Sequence, residues 1–375
     1  MKFSNDMLYL SLCAIKGEKP YESIIKNIDL DVLFNECQRQ KITALVSYAL
    51  GSSAELPKKW IDARGKAIRK SMLFDAERKF ITDFMNENGI KYMPLKGIIL
   101  KELYPEIGMR EMSDNDIYYD LSFREKIGSF MLSRGYKCVA KADNHDAYEK
   151  EPIYNFEFHN RLFLKETSLS LNRYYSDIDK RMIRDSKNAF SYHLSDEDFY
   201  IYLIAHEYKH YNYCGTGLRS LLDCYVFLNK FSDTLDFEYI KRETEKAGIS
   251  DFEKMQRNLC KKLYVSLCEV DFTEDEVKFL QYLVSSGVHG NFSTGVINKA
   301  KGKGAQKTRV TFKEKVKYIS RRVFPPMSYY KRFYPFFYNH RYLIPFCVIY
   351  RLFLAVFKRN KNIKNELRIL NQTKY

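Results

Sequence analysis

The sequence predicts an α+β fold in which a small mixed β-sheet lies between two helical regions. Apolar residues recur at helical spacing up to residue 88 and again from residue 195. Between these two regions the spacing changes to short alternating runs, which are typical of strands. The 375-residue chain is 45% hydrophobic and 15% aromatic, so it can build a sizeable core and is too apolar to be disordered.

The first region, residues 1–88, is predicted to be helical. Two or three short helices are expected within residues 5–50, because glycine and proline interrupt the apolar pattern there. A longer helix is expected over residues 58–88. Its predicted apolar face consists of Ile68, Met72, Phe80, Ile81 and Phe84.

Residues 89–190 are predicted to form the sheet and the helices beside it. The predicted strands are 90–96, 114–120, 136–141 and 153–163, and the predicted helices are 97–104 and 122–134. Side chains two positions apart on a strand share one face of the sheet. Glu157 is therefore expected on the face opposite Phe156 and Phe158.

Residues 191–300 are again predicted to be helical, with a break at the sequence CGTG, residues 214–217. The stretch 289–308 is rich in glycine and lysine and is predicted to be a loop. Residues 301–375 form a basic, aromatic tail that is predicted to be amphipathic.

The net positive charge of the chain comes entirely from this tail. The net charge is +15, and residues 301–375 hold 19 Lys/Arg against 2 Asp/Glu, whereas the rest hold 43 against 45. Such a tail suits nucleic acid, an anionic lipid surface or an acidic partner, and charge alone does not choose among them. Residues 342–361 combine an apolar run, containing Arg351, with a basic end. An amphipathic helix is expected there, either on an anionic membrane surface contacted through residues 309–375 or packed back on the protein.

The cysteine pattern and the N-terminal sequence favour the cytoplasm. Eight cysteines occur without a C-x-x-C pair or a regular spacing, so reduced thiols are expected in place of a zinc ribbon or a disulfide scaffold. The first twenty residues carry only a short apolar run and no convincing cleavage site for a signal peptide. We therefore expect a cytoplasmic protein, with the inner face of the membrane as a possible peripheral location.

Two aspartates in the second predicted strand indicate a metal site. Asp114 and Asp116 are two positions apart, so they share a face and repel each other unless a cation lies between them. Hard oxygen ligands of this kind suit Mg²⁺ or Mn²⁺. Glu157, from another predicted strand, is the candidate third carboxylate. Three such groups predict a two-metal site for phosphoryl transfer.

A phosphate-binding turn is predicted upstream of these acids. Gly97 lies where a predicted strand gives way to a helix, and free backbone N–H groups at such a position attract phosphate. Lys96 adds a positive charge beside it.

The order of these elements resembles the nucleotidyltransferase fold of the polymerase-beta-like superfamily. More narrowly, LKG at 95–97, the Tyr-Pro at 104–105, Arg110 and SDND at 113–116 look like the signature of an uncharacterised bacterial nucleotidyltransferase-like family. The later AHEYKH and GLRSLLD sequences are similar to downstream blocks of that family.

This resemblance implies a role for each candidate residue. The catalytic and metal-binding residues would be Asp114, Asp116 and Glu157. The nucleotide-binding residues would be Lys96, Gly97, Arg110, Ser113 and Arg219. The implied activity is Mg²⁺- or Mn²⁺-dependent transfer of a nucleoside monophosphate from an NTP to a hydroxyl or phosphate on a sugar, a protein or RNA.

Two of the arginines have structural alternatives. Arg219 is either paired with Asp223, four residues further along one helix, or turned toward a phosphate in the cleft. Arg110 either orders the loop before the aspartates or contacts the nucleotide.

Two other functions remain open. One is a catalytically inactive binding protein that keeps the fold and lies at the membrane periphery. The other is a zinc hydrolase, because HEYKH at 206–210 fits the H-E-x-x-H pattern. Lys209 inside that pattern, and the lack of a clear third ligand, make buried or pocket-lining histidines the preferred interpretation.

Overall fold

A computed structural model describes residues 2–51, 56–165, 167–264, 271–288, 290, 292–301, 310–357 and 360–372. It confirms the α+β class, with helices on both sides of one small mixed sheet along the chain. The helices are α1 (Lys2–Lys16), α2 (Glu22–Ile25), α3 (Leu30–Gln40), α4 (Thr43–Leu50), α5 (Lys58–Glu87), α6 (Gly97–Leu100), α7 (Arg124–Ser133), α8 (Leu169–Tyr174), α9 (Asp196–Tyr213), α10 (Leu218–Phe231), α11 (Phe237–Ala247), α12 (Ser250–Tyr264), α13 (Glu274–Ser286), α14 (Phe292–Lys301), α15 (Phe312–Val323), α16 (Met327–Phe333), α17 (Pro335–Asn339), α18 (Ile344–Phe357) and α19 (Asn360–Gln372).

The main sheet has five strands in the order β1-β2-β5-β4-β3. The strands are β1 (Tyr92–Pro94), β2 (Asn115–Tyr119), β3 (Lys137–Lys141), β4 (His145–Lys150) and β5 (Tyr154–His159). The β2–β5 pair is parallel, and the other neighbours are antiparallel. A separate two-stranded ribbon joins β6 (Ile183–Arg184) to β7 (Tyr192–His193).

One face of the sheet carries a hydrophobic core. Ile117 and Tyr119 of β2 and Phe156 and Phe158 of β5 point into it. Helices α5 and α7 cover this face through buried apolar side chains, among them Phe74, Ile81, Met85, Ile127 and Met131. Because side chains alternate along a strand, Asp116 and Glu157 face the opposite side.

The chain forms two compact units. The first comprises residues 1–209 and 217–284, and it contains the five-stranded sheet. The second comprises residues 210–216 and 285–375. Helices α14–α19 belong to the second unit, where α14, α15 and α19 share a small core that includes Val296, Tyr318 and Leu370.

Three details differ from the sequence-based prediction. Strand β4 was not predicted, because its sequence HDAYEK lacks an alternating apolar pattern. Helix α14 occupies part of the predicted loop, since Val296 and Ala300 are buried and anchor it. On α5, Met72 and Phe80 are 59% and 56% exposed, so the predicted apolar face was partly wrong. Ile81 of the predicted face is buried in this 30-residue helix, and Phe74 and Met85, which were not predicted, are buried with it.

The thiols agree with the prediction as far as they are described. Seven of the eight cysteines lie in the described part of the chain, and all seven are free. Cys268 lies outside the described residues.

Candidate functional site

The parallel pairing of β2 with β5 brings two of the predicted acids together. In this register Asp116 lies directly opposite Glu157 on the face away from the hydrophobic core. His159, two residues after Glu157, shares this face. One ligand atom from each of these three residues lies within 4.8 Å of the others. This is the sole grouping of three metal-ligand side chains found among the described residues.

Asp116 is buried and is held by Lys96 and His159. Its Oδ1 accepts a hydrogen bond from Lys96 Nζ at 2.8 Å and is 2.7 Å from His159 Nε2. Its Oδ2 accepts no hydrogen bond from any described residue. One oxygen of Asp116 is thus fixed, and the other is available to a further cation.

Lys96 adopts a strained backbone conformation to reach Asp116. Its φ is 45° and its ψ is −114°, in a region that residues other than glycine rarely occupy. Backbone strain of this kind costs about 1–3 kcal/mol and persists only where the surroundings enforce it. The position of Lys96 is therefore compatible with a functional requirement at the site.

The electrostatics of the cluster favour charged forms for all its members. Burial alone would raise the pKa of Asp116, but Lys96 and His159 overcome it and hold this pKa well below its usual range. The hydrogen bond to His159 lowers the pKa of Glu157. Burial opposes protonation of His159, yet its bonds to Asp116 and Glu157 raise its pKa. Both carboxylates are therefore held in the ionised form, and protonation of His159 is favoured by the carboxylates that it contacts.

Asp114 lies beside this cluster but outside it. The strand β2 begins one residue later, at Asn115. Burial, followed by repulsion from Asp116, raises the pKa of Asp114. Its carboxylate makes no hydrogen bond to any described residue, so it is a half-buried acid with room for a cation. The geometry thus joins Asp116 and Glu157 tightly and places Asp114 next to them.

Helix α9 brings two residues to the site that the sequence did not predict. The ammonium of Lys209 interacts electrostatically with Asp114, Asp116 and Glu157, although burial and repulsion from Lys96 lower its pKa to about 8. Lys209 makes no hydrogen bond or ion pair within the described structure, and its nearest aromatic contact is Phe163, 6.0 Å away. Burial raises the pKa of Tyr202, and the negative charge of Asp116 raises it further.

A second histidine lies next to His159. His145 on β4 pairs with His159 in the sheet, and the two rings stack with centroids 5.2 Å apart. Burial and the neighbouring His159 lower the pKa of His145. Its Nδ1 is buried and has no hydrogen-bond partner among the residues that the structure describes. The site face therefore extends over three strands, β2, β5 and β4.

Gly97 is required by a close approach of Arg110. A Cβ at position 97 would clash with Arg110 Nη1 and press on Met112 Sδ. The amides of Ile98 and Ile99 donate to the carbonyls of Leu95 and Lys96. These contacts explain the glycine by packing, and they leave few free amides for the predicted phosphate-binding turn.

Arg110 is committed to a buried ion pair with Asp223. Its Nε and Nη2 donate to the two carboxylate oxygens of Asp223 at 2.8 and 2.9 Å. The hydroxyl of Tyr104 donates to the same carboxylate at 2.9 Å. Arg110 thus ties the loop before β2 to α10, which is the structural one of its two expected roles. Of the two alternatives for Arg219, the pair with Asp223 is not formed, because the buried Arg110 takes both carboxylate oxygens.

Replacing Tyr104 by phenylalanine tests this assignment of Arg110 and Asp223 to structure. We expect Tyr104→Phe to lower the free energy of unfolding by about 1.5 kcal/mol, because a buried hydrogen bond to a charged acceptor is lost. Urea unfolding would measure this change. NTP affinity should stay within about twofold of wild type. A large loss of NTP affinity in a stable variant would instead place this cluster in the nucleotide site.

Arg219 and Ser113 lie close to the acids. Arg219 Nη1 donates to the carbonyl of Glu111 at 3.0 Å, and its guanidinium is attracted by Asp114. Arg219 makes no other hydrogen bond within the described structure, so most of its donors are available. Ser113 immediately precedes Asp114, and its carbonyl accepts a hydrogen bond from Lys70 Nζ at 3.4 Å.

The HEYKH sequence lies in α9 and does not form part of a three-ligand group among the described residues. Glu207, which would activate water in a zinc hydrolase, is 3% exposed and accepts a hydrogen bond from Gln256. Burial raises the pKa of Glu207 well above its usual range. An enclosed carboxyl with a raised pKa is poorly suited to that role, and Lys209 of the same sequence interacts electrostatically with the carboxylate site.

Comparison with known proteins identifies the family of the chain. No curated protein and no solved structure was found to match the chain. A protein-family model described as "Uncharacterised nucleotidyltransferase" matches residues 26–265, which is more than half of the chain. The match includes the whole five-stranded sheet and helix α9. The chain therefore belongs to this uncharacterised nucleotidyltransferase family.

Proposed function

We propose that the protein transfers a nucleoside monophosphate from an NTP to a hydroxyl or phosphate acceptor, using Mg²⁺ or Mn²⁺. The observation that carries this proposal is the parallel β2–β5 register, which sets Asp116 opposite Glu157 beside the unpartnered Asp114. Family membership supports the reaction class. The acceptor would be a sugar, a protein or RNA. Reduced thiols suit a cytoplasmic enzyme.

The donor set fits a hard divalent cation. Oδ2 of Asp116, the carboxylate of Glu157 and the carboxylate of Asp114 are oxygen donors, which Mg²⁺ and Mn²⁺ prefer. The raised pKa of Asp114 reflects uncompensated negative charge that a cation would relieve. Such an ion, when bound, neutralises the charge that develops on the phosphates during transfer.

Glu157 is the candidate base. The acceptor oxygen would form a bond to the α-phosphorus while the bond from that phosphorus to the α–β bridging oxygen breaks and pyrophosphate leaves. The acceptor proton would pass to the carboxylate of Glu157, which is ionised because its pKa is lowered. His159 Nε2 lies 2.7 Å from Asp116 and 3.4 Å from Glu157, so this nitrogen is occupied by the two carboxylates. It would instead orient Asp116 and Glu157.

Two cations are free to bind the triphosphate. Lys209 and Arg219 are both attracted electrostatically by Asp114, and neither forms an ion pair in the described structure. A half-buried ammonium without a partner is unfavourable, so its retention is explained by an anionic substrate group. Lys96 is already bound to Asp116 and would act by positioning that carboxylate.

Label transfer from an α-labelled NTP tests the proposal. We expect Mg²⁺-dependent pyrophosphate release, with label recovered in one of three added acceptor pools: sugars, proteins or RNA. Glu157→Gln should reduce the rate at least about tenfold, because the proton acceptor is lost. Glu149→Gln is the matched control, since Glu149 is an exposed acid on the neighbouring strand β4. Its rate should match wild type.

The outcomes separate the proposal from its alternative. Mg²⁺-dependent NTP binding without any pyrophosphate release would support the non-catalytic binding protein. Equal rates for Glu157→Gln and Glu149→Gln would exclude Glu157 as the base. Metal-independent release would overturn the role of the carboxylates.

A further inference from the structure

Helix α18 in the second unit presents an apolar stripe to solvent. The residues of this stripe follow helical spacing at i, i+3, i+4, i+7 and i+11, so they lie on one side of the helix. The stripe consists of Phe346, Ile349, Tyr350, Phe353 and Phe357. Each of these side chains is at least 51% exposed. Such a row of large apolar side chains in water indicates a surface that is covered in use.

The opposite side of α18 packs within the second unit and carries Arg351, the one charged residue of the helix. Cys347 and Val348 are buried. The guanidinium of Arg351 turns inward and donates to the carbonyls of Val323 and Arg322 at 3.0 and 2.9 Å, at the C-terminal end of α15. It also lies over the ring of Tyr329. Arg351 therefore stabilises the unit and leaves the stripe free of charge.

The acidic side chains in the basic segment of the second unit also bond to groups within that unit. Residues 301–375 contain only Glu314 and Glu366 against 19 Lys/Arg. Glu366 is bound by Arg322 and by the hydroxyl of Tyr318. Glu314 closes a capping box with Thr311 at the start of α15. Both carboxylates are thus compensated inside the unit, and a negatively charged surface would meet little repulsion from this segment.

The length of α18 limits how it can meet a bilayer. Its 14 residues span about 21 Å, which is less than the roughly 30 Å of a bilayer's hydrocarbon core. Among the described helices, none has the length and hydrophobicity needed to cross a membrane. An apolar stripe with basic neighbours on a helix of this length suits a position in the plane of the interface.

We propose that the second unit docks on an anionic lipid bilayer through the exposed stripe of α18. The aromatic and aliphatic side chains of the stripe would enter the headgroup boundary, and exposed basic residues of the same unit, such as Lys331, Arg341 and Lys364, would contact lipid phosphates. Nucleic acid offers the same negative charge but no apolar phase for five adjacent large side chains. A bilayer supplies both, which is why we commit to it. This inference is independent of the nucleotidyl-transfer reaction.

Vesicle flotation of the full-length protein tests the docking. We expect flotation with vesicles of phosphatidylcholine containing about 30% phosphatidylglycerol, and much less with phosphatidylcholine alone. About 0.5 M NaCl should weaken binding, because it screens the basic residues. The double variant Phe346→Ser/Phe353→Ser should lower the partition coefficient at least about tenfold, since it removes two rings from the stripe.

Phe80→Ser is the matched control, because Phe80 is 56% exposed on α5 in the first unit and lies outside the stripe. This variant should float like wild type, and circular dichroism should show that both variants are folded. Equal flotation of the double variant and the control would overturn the proposal. So would a wild-type dimer, seen by light scattering, that the double variant dissociates, because the stripe would then be an interface between two copies. Binding to RNA lost in the double variant, with no flotation of wild type, would also overturn it.

Discussion

Replacing Asp116 by asparagine is expected to reduce pyrophosphate release at least about a thousandfold. Asp116 is the most constrained carboxylate of the site, buried between Lys96 and His159 and opposite Glu157. Asparagine keeps the shape of the side chain but offers a neutral oxygen in place of the anionic donor. Binding of Mn²⁺, followed by electron paramagnetic resonance, should fall in parallel, and this readout does not depend on turnover.

The same substitution is expected to destabilise the protein. It leaves the buried ammonium of Lys96 without its anionic partner, which costs about 3–5 kcal/mol in comparable buried pairs. Because the pKa of Asp116 is depressed in the folded state, its contribution is present above the ordinary carboxyl pKa of 3.8 and is lost as the pH falls below it. The difference in free energy of unfolding between wild type and variant should therefore be constant near neutrality and shrink below about pH 4.

A double variant separates this loss of stability from the loss of catalysis. Lys96→Met/Asp116→Asn removes both charges, and replacing a buried ion pair by neutral groups is often close to neutral for stability. We expect the double variant to recover most of the stability and none of the activity. A stably folded Asp116→Asn protein that still releases pyrophosphate at the wild-type rate would remove Asp116 from the mechanism.

The acids of the site follow from local sequence, because a strand forces side chains two apart onto one face. That rule placed Glu157 opposite the aromatic residues of its strand, and the register with Asp116 then completed the pair. The same rule applied once more reaches His159, so this residue was accessible from the sequence. Its role was not, since a histidine on a strand acquires a function only through the neighbouring strand that it faces.

The residues contributed by other elements depend on tertiary packing. In the sequence, Lys209 is only a charged residue inside a zinc-binding pattern. The structure shows that it lies on α9 and interacts electrostatically with the carboxylates of the site. The partner of Asp223 could not be decided from the sequence for a similar reason. Spacing on α10 favours Arg219, but Asp223 is buried and faces the loop that carries Arg110. Spacing along one helix indicates which side chains can pair within that helix. Packing against a second element can give the same side chain a different partner.

Replacing Lys209 by methionine should weaken NTP binding and at the same time stabilise the free protein. The lost charge–phosphate contact should raise the dissociation constant of a non-hydrolysable NTP roughly 10- to 100-fold. Free of nucleotide, the half-buried ammonium has no partner in the described structure, so its removal relieves a desolvation cost on the order of 2 kcal/mol. Lys241→Met is the control, because Lys241 is an exposed lysine on α11, and neither quantity should change.

The gain in free energy of unfolding expected for Lys209→Met depends on pH through the pKa of Lys209. The pKa of Lys209 is about 8 in the folded protein, against an ordinary value of 10.5. Below about pH 8 both states are protonated, so the folded state bears the full cost and methionine gives its largest gain. Between pH 8 and 10.5 the unfolded state holds more protons than the folded state, so the wild-type free energy of unfolding rises with pH.

The advantage of Lys209→Met should therefore vanish as the pH approaches 10.5. Urea unfolding of wild type and variant at several pH values, without nucleotide, would measure it. A loss of NTP affinity together with a gain in stability is expected of a residue retained for binding a phosphate at a cost to the fold. Loss of both affinity and stability at pH 7 would mean that Lys209 holds the structure together, and the triphosphate contact would then fall to Arg219.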